Sequence, residues 1–124
     1  MTTIELIQLL RERFEANGFN QDYIPQSIKN MSSDDYQVSL SKDGKAKYDG
    51  FKLNGWNIYI NTVYKHNGTD ENKSVDVSIG KFENSCGRTY EGGIGNIRFN
   101  VNMGEKAIST RIDKILKNWD EVTK

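Results

Sequence analysis

Four stretches of this chain alternate apolar and polar residues with a period of two, and that alternation restricts the fold more than any other feature. Val38 and Leu40, with Tyr36, alternate with Gln37 and Ser39; Trp56, Ile58, Ile60, Thr62 and Tyr64 alternate with Asn57, Tyr59 and Asn61. Val75, Val77 and Ile79 flank Asp76 and Ser78, and Ile97, Phe99, Val101 and Met103 alternate with Asn96, Arg98, Asn100 and Asn102. In a β-strand successive side chains point to opposite sides, so each stretch has one dry and one wet side. Strands of this kind form an antiparallel sheet whose apolar face needs a cover.

The two ends of the chain supply that cover. Thr2 and Glu5 stand in the capping-box relation, and Ile4, Leu6, Ile7, Leu9, Leu10 and Phe14 follow at helical spacing. Gly18, after Asn17, is a left-handed stop, with Phe19 placed to fold back on the last turn. Near the C-terminus Ile108, Ile112, Ile115, Leu116 and Trp119 form a stripe, with Asn102 or Gly104 as cap and Glu105 in the first turn. The expected fold is an α+β two-layer sandwich: an antiparallel sheet of four or five strands with the N- and C-terminal helices packed on one face. No repeat, low-complexity tract or linker divides residues 1–124, which read as a single domain. Lys42-Asp43-Gly44-Lys45 reads as a hairpin turn, Lys45 to Leu53 as a second strand, and Asn54-Gly55 as a further turn. Pro25 can open a short helical turn through Ile28, and Ser32 to Asp35 read as a loop, as do His66 to Ser74.

Charge narrows the partners. Seventeen Lys and Arg balance seventeen Asp and Glu, and the balance holds in both halves of the chain. Such a chain has no global field to concentrate DNA, RNA or an anionic membrane. Helix–sheet–helix order is loosely shared by secretion chaperones and double-stranded RNA-binding domains, but the basic cluster that opens the last helix of the latter is replaced by Gly104-Glu105-Lys106-Ala107. Cys86 has no partner for a disulfide or a CxxC site, and no secretory leader or membrane span is visible, so a reducing cytoplasmic compartment is expected. Lys outnumbers Arg by 12 to 5 and Asn occurs 13 times, a bias that accompanies AT-rich coding.

Chemistry-bearing constellations are sparse. His66 stands alone beside Asn67-Gly68, and spacing does not tie it to Cys86. Asp34-Asp35 and Asp70-Glu71 are adjacent pairs that read as solvated loops, and no metal or catalytic motif occurs. No cofactor, no metal and no enzymatic activity are expected.

The segment from Cys86 to Gly95 is the most unusual one. Gly87, Gly92, Gly93 and Gly95 can bring backbone amides close to an anion, Arg88 can clamp a phosphate or carboxylate, and Tyr90 can stack on a ring. Arg98 and Tyr59, both on the wet side of the sheet, can assist, and Arg111 from a second copy in a homodimer can complete a shared pocket. The glycines also suit a mere connection between strands. Lys42, Lys45, Lys47 and Lys52, with Tyr48 and Phe51 between them, form a basic patch diluted by Asp43 and Asp49. An RNA-binding platform would show several aromatics on the wet face, where only Tyr59 is expected. The leading expectation is a non-enzymatic binder of a nucleotide-like or other anionic small molecule. The alternatives are a protein-binding inhibitor of phage or mobile-element type, acting against a host defence complex, and a weak nucleic-acid binder.

Overall fold

A computed structural model describes residues 1–20, 37–48, 52–63, 74–83 and 87–124. The order is α1 (Thr3–Ala16), β1 (Gln37–Leu40), β2 (Ala46–Tyr48), β3 (Leu53–Val63), β4 (Ser74–Glu83), β5 (Gly87–Thr89), β6 (Ile97–Asn100) and α2 (Glu105–Val122). All the pairings are antiparallel, and the helices flank the sheet as expected for an α+β sandwich. The expectations for Pro25 to Ile28, Ser32 to Asp35, Asp49 to Phe51, His66, Asp70-Glu71 and Cys86 lie outside the described residues.

Two long strands form the spine. β3 and β4 pair in register from Gly55 with Phe82 to Val63 with Ser74. β1 and β2 lie end to end along the outer edge of β3, opposite Ile58–Asn61 and Leu53–Gly55 respectively. β5 and β6 repeat this along β4, opposite Lys81–Glu83 and Ser74–Val77. The sheet is therefore a four-position meander in six segments, because each edge strand is interrupted once. That explains the difference from the four or five strands expected.

The first interruption corrects two sequence readings. Asp43 and Gly44 have φ of 57° and 68°, and the Lys45 N–H donates to Lys42 O at 3.1 Å, so the expected tight turn is present. It does not join two paired strands, however. Ser41 Oγ donates to Trp56 O at 2.8 Å and the Trp56 N–H donates to Lys45 O at 2.8 Å, so residues 41–45 loop out of one edge strand. Asn54-Gly55, read as a turn, lies inside β3. Gly55 has φ of 112°, and a Cβ there would fall 2.1 Å from Lys45 O. The glycine serves a bulge, where a backbone carbonyl crosses close above it, rather than a chain reversal.

The apolar side of the sheet carries Val38, Leu40, Ile58, Ile60, Val75, Val77, Ile79 and Phe99, all buried. Leu6, Ile7, Leu10 and Phe14 of α1 and Ile108, Ile112, Ile115 and Trp119 of α2 close over it in a single core. Each side chain of this size contributes roughly 1.5–3 kcal/mol on burial. The capping box of α1 is formed in both directions, Thr2 N–H to Glu5 Oε1 and Glu5 N–H to Thr2 Oγ1, each at 3.1 Å. Gly18 ends the helix at φ 93°, and Phe19 returns against Phe14, with ring centroids 5.8 Å apart, and against Trp119 at 4.8 Å. Arg13 bonds Glu105 and Ser109, which ties the two helices side by side. Gly104 caps α2 without a side-chain bond, so Asn102 is not the cap. β6 ends at Asn100, three residues earlier than the alternation suggests, and Val101 and Met103 pack against the core from the turn that follows.

Substituting Gly55→Ala forces a Cβ into the bulge at positive φ, and roughly 2–4 kcal/mol of stability is expected to be lost. Urea unfolding checks this; a loss below about 1 kcal/mol contradicts the tight crossing. The Glu5 carboxyl is held below its ordinary 4.5, chiefly by the Thr2 backbone N–H and then by the Thr2 hydroxyl. A lowered folded-state pKa gives stability that is present above 4.5 and is lost as the pH falls through the lowered value. Glu5→Gln is thus expected to melt below the parent at neutral pH and together with it in strong acid, as followed by circular dichroism.

Candidate functional site at the basic end of the sheet

The polar side of the sheet is only partly an open surface. Asn57, Ser78 and Asp76, expected to face solvent, are buried at 0%, 2% and 6% exposure. Alternation fixes which side a residue faces, but it carries no information on whether that side is covered.

Arg88 is held on this side. β5 sets it in register with Phe82, and its side chain crosses β4 above Gly80, where a Cβ would fall 2.5 Å from Arg88 Nε. Its guanidinium lies 4.6 Å from the Tyr59 ring centroid, 5.2 Å from that of Phe82 and 5.5 Å from that of Tyr90. Arg88 Nη2 also donates to Ser78 O at 3.4 Å. A cation over three ring faces is a semi-rigid platform, each contact contributing about 0.5–1 kcal/mol where exposed. Phe82 is a second aromatic on the polar side, where Tyr59 alone was expected. Its position in phase with Asp76, Ser78 and Gly80 was the available signal.

The other proposed site residues are placed elsewhere. Arg98 forms a two-pronged pair with Asp76, at 2.9 and 3.2 Å, and this bond together with the carboxylate charge raises the Arg98 pKa. Arg98 stands opposite Asp76 and Arg88 opposite Phe82, six residues along, so their backbone positions are roughly 20 Å apart at strand rise, although the Arg88 side chain reaches back as far as Ser78 O. Arg111 donates to the Arg98 carbonyl and approaches Met103 Sδ at 3.4 Å. Gly92 and Gly93 lie on the helix side: Asn118 Nδ2 donates to Gly92 O at 3.1 Å, and a Cβ at Gly93 would fall 2.4 Å from Ile79 O. The Ile79 N–H meanwhile donates to Ile94 O at 2.8 Å. These glycines let residues 90–96 press against the sheet edge and α2. Gly95 is exposed, with open space where a Cβ would stand. Of the eight residues, Tyr59, Arg88 and Tyr90 come together; the others do not join them.

Next to Phe82 a cleft of about 450 Å³ opens at the same end of the sheet. Gly44, Lys45, Ala46 and Lys47 form one wall, and Asn54, Gly55, Lys81, Phe82 and Glu83 complete it. Lys45, Lys47 and Lys81 are exposed, and none of them enters an ion pair among the described residues. Among the described residues, three cations against the one carboxylate of Glu83 make the cleft lining positive in a chain of zero formal charge. Lys81 was missed at the sequence level because only the β3–β4 register brings it to the cleft that Lys45 and Lys47 line from the far side of β3. Among the described residues no cluster of three or more His, Cys, Asp and Glu could hold a metal, and no helix is long and apolar enough to cross a membrane.

Comparison with protein-family models, with curated proteins and with solved structures found no match to this chain.

The Arg98–Asp76 pair has a structural consequence of its own. Arg98→Ala leaves a buried carboxylate without its two-pronged partner, so about 1–3 kcal/mol of stability is expected to be lost in chemical denaturation. An unchanged midpoint contradicts the pairing.

Proposed function

We propose that this chain is a non-enzymatic binding protein for a small, multiply charged anion of the phosphate class. The supporting observation is the open cleft bearing Lys45, Lys47 and Lys81 without ion-paired partners among the described residues. Its volume lies within the range of small-molecule sites. Gly44 leaves the backbone accessible along one wall, with open space where a Cβ would stand, and Phe82 adds an aromatic residue to the lining. A second reading, docking of a partner protein, draws on Tyr90, which is 43% exposed and braced by Arg88, an aromatic–arginine pair of the kind that anchors interfaces.

Isothermal calorimetry with inorganic tripolyphosphate tests the first reading. Three exposed charge contacts at about 0.5–1 kcal/mol each imply that Lys45→Ala/Lys47→Ala/Lys81→Ala weakens binding by roughly tenfold to a hundredfold. Binding is also expected to weaken as salt shortens the Debye length from about 10 Å to about 3 Å. Absence of binding to the parent chain, or equal affinity in the triple variant, ends the assignment of this cleft.

A further inference from the structure

Trp56 shares a side of the sheet with two of the cleft lysines. It packs against the helix-covered core and stands opposite Lys81 across the β3–β4 ladder. Lys47 stands opposite Asn54, two residues before Trp56 and therefore on the same side of β3. The indole thus has Lys81 directly across on one neighbouring strand and Lys47 on the diagonal of the other, at Cβ separations of about 5 Å and about 7–8 Å. Asn57 and the rings around Arg88 belong to the opposite side.

Part of this indole has a structural role. A Cβ at Gly93 would fall 3.2 Å from Trp56 Cζ3, so the glycine lets residues 90–96 lie against the ring. The rest is uncovered: Trp56 is only half-buried, whereas the other tryptophan, Trp119, is 1% exposed. Along β4 this side of the sheet changes from buried at Ile79 to exposed at Lys81. A ring flanked by two lysines is placed to take one of them as a cation–π partner. Among the described residues, however, the cations found over rings are Lys42 and Arg88, and neither Lys47 nor Lys81 lies over Trp56. Ring and ammonium groups are therefore left side by side at the rim.

We propose that the anion is a nucleoside polyphosphate, with its phosphates held by Lys47 and Lys81, Lys45 at the wall, and its base stacked on the outer part of the Trp56 ring. This inference rests on the anion-binding reading above. A bare polyphosphate uses the lysines and gains nothing from an indole, whereas a phosphate that carries a flat ring engages both. One sugar separates the base from the first phosphate, a span of the same order as that between the indole and the two lysines. Stacking reads no hydrogen-bonding edge, so it supplies affinity for the ring without selecting among bases.

Calorimetry and tryptophan emission, with ATP and with inorganic tripolyphosphate as probes, provide the test. The parent is expected to bind ATP about tenfold more tightly than tripolyphosphate. With excitation at the red edge of the indole band, where adenine does not absorb, ATP is expected to shield the emission from acrylamide quenching. Tripolyphosphate is expected to leave that quenching unchanged, and Trp119 is buried in either case. Trp56→Leu is expected to keep its tripolyphosphate affinity and to bind ATP no more tightly than tripolyphosphate. Trp56→Phe, which restores a ring, is expected to recover part of the preference. The shielding measurement needs no substitution and remains decisive should Trp56→Leu fail to fold by circular dichroism. Equal binding of ATP and tripolyphosphate by the parent overturns the nucleotide inference and leaves the anion site standing. A preference for ATP without shielding, or one that survives in folded Trp56→Leu, overturns it in the same way. Absence of tripolyphosphate binding to the parent overturns the anion site and this inference with it.

Discussion

The nine-residue register between β3 and β4 is the constraint on which the rest of the molecule depends. It aligns Ile58 with Ile79 and Ile60 with Val77 on one side, and Asn57 with Gly80 and Tyr59 with Ser78 on the other. A slip of one residue would exchange the two sides along the spine, placing asparagine and serine against the helices. The core under α1 and α2, the burial of Asn57, the passage of Arg88 above Gly80 and the place of Lys81 in the cleft all presuppose this pairing. Phe19 and Trp119 lock it from the helix side by joining the end of α1 to α2.

Electrostatics in this protein are local. The arginines are spent largely on internal contacts: Arg13 between the helices, Arg98 on Asp76, Arg111 on a β6 carbonyl and Arg88 among three rings. The lysines at 45, 47 and 81 remain at the rim of the cleft. This division follows from the side chains themselves. A guanidinium offers a planar fork for carboxylates, carbonyls and ring faces, whereas an ammonium is strongly hydrated and costly to fix without a counter-charge. Zero formal charge thus coexists with one concentrated positive site.

Much of the fold was legible in the sequence because period-two alternation and helical stripes are local signals. The capping box at Thr2 and Glu5, the stop at Gly18, the return of Phe19 and the apolar face of the sheet could all be read from neighbouring residues. What escaped was non-local. Gly55 has the sequence of a turn, and only the crossing of Lys45 O reveals a bulge. Gly92 and Gly93 look like ligand-cradling glycines, and only Asn118, Val122 and Ile79 show what they touch. The burial of Asn57, Ser78 and Asp76 depends on what lies above the sheet, which alternation does not encode. Of the site, Tyr59, Arg88 and Tyr90 could be found individually; Phe82, Lys81 and Trp56 acquire meaning from strand register alone.

The two interruptions, at residues 41–45 beside β3 and 90–96 beside β4, break both outer ladders of the sheet. A continuous outer strand would present an unbroken row of amide and carbonyl groups on which another chain could template itself. Here the described outer strands come in pieces of three or four residues, separated by residues 41–45, which loop out, and by residues 90–96, which touch β4 again only at Ile79. Such fragments are too short to nucleate a fibril-like stack. The loop at residues 41–45 that shapes the cleft wall is thus also one of the two that break the outer ladders.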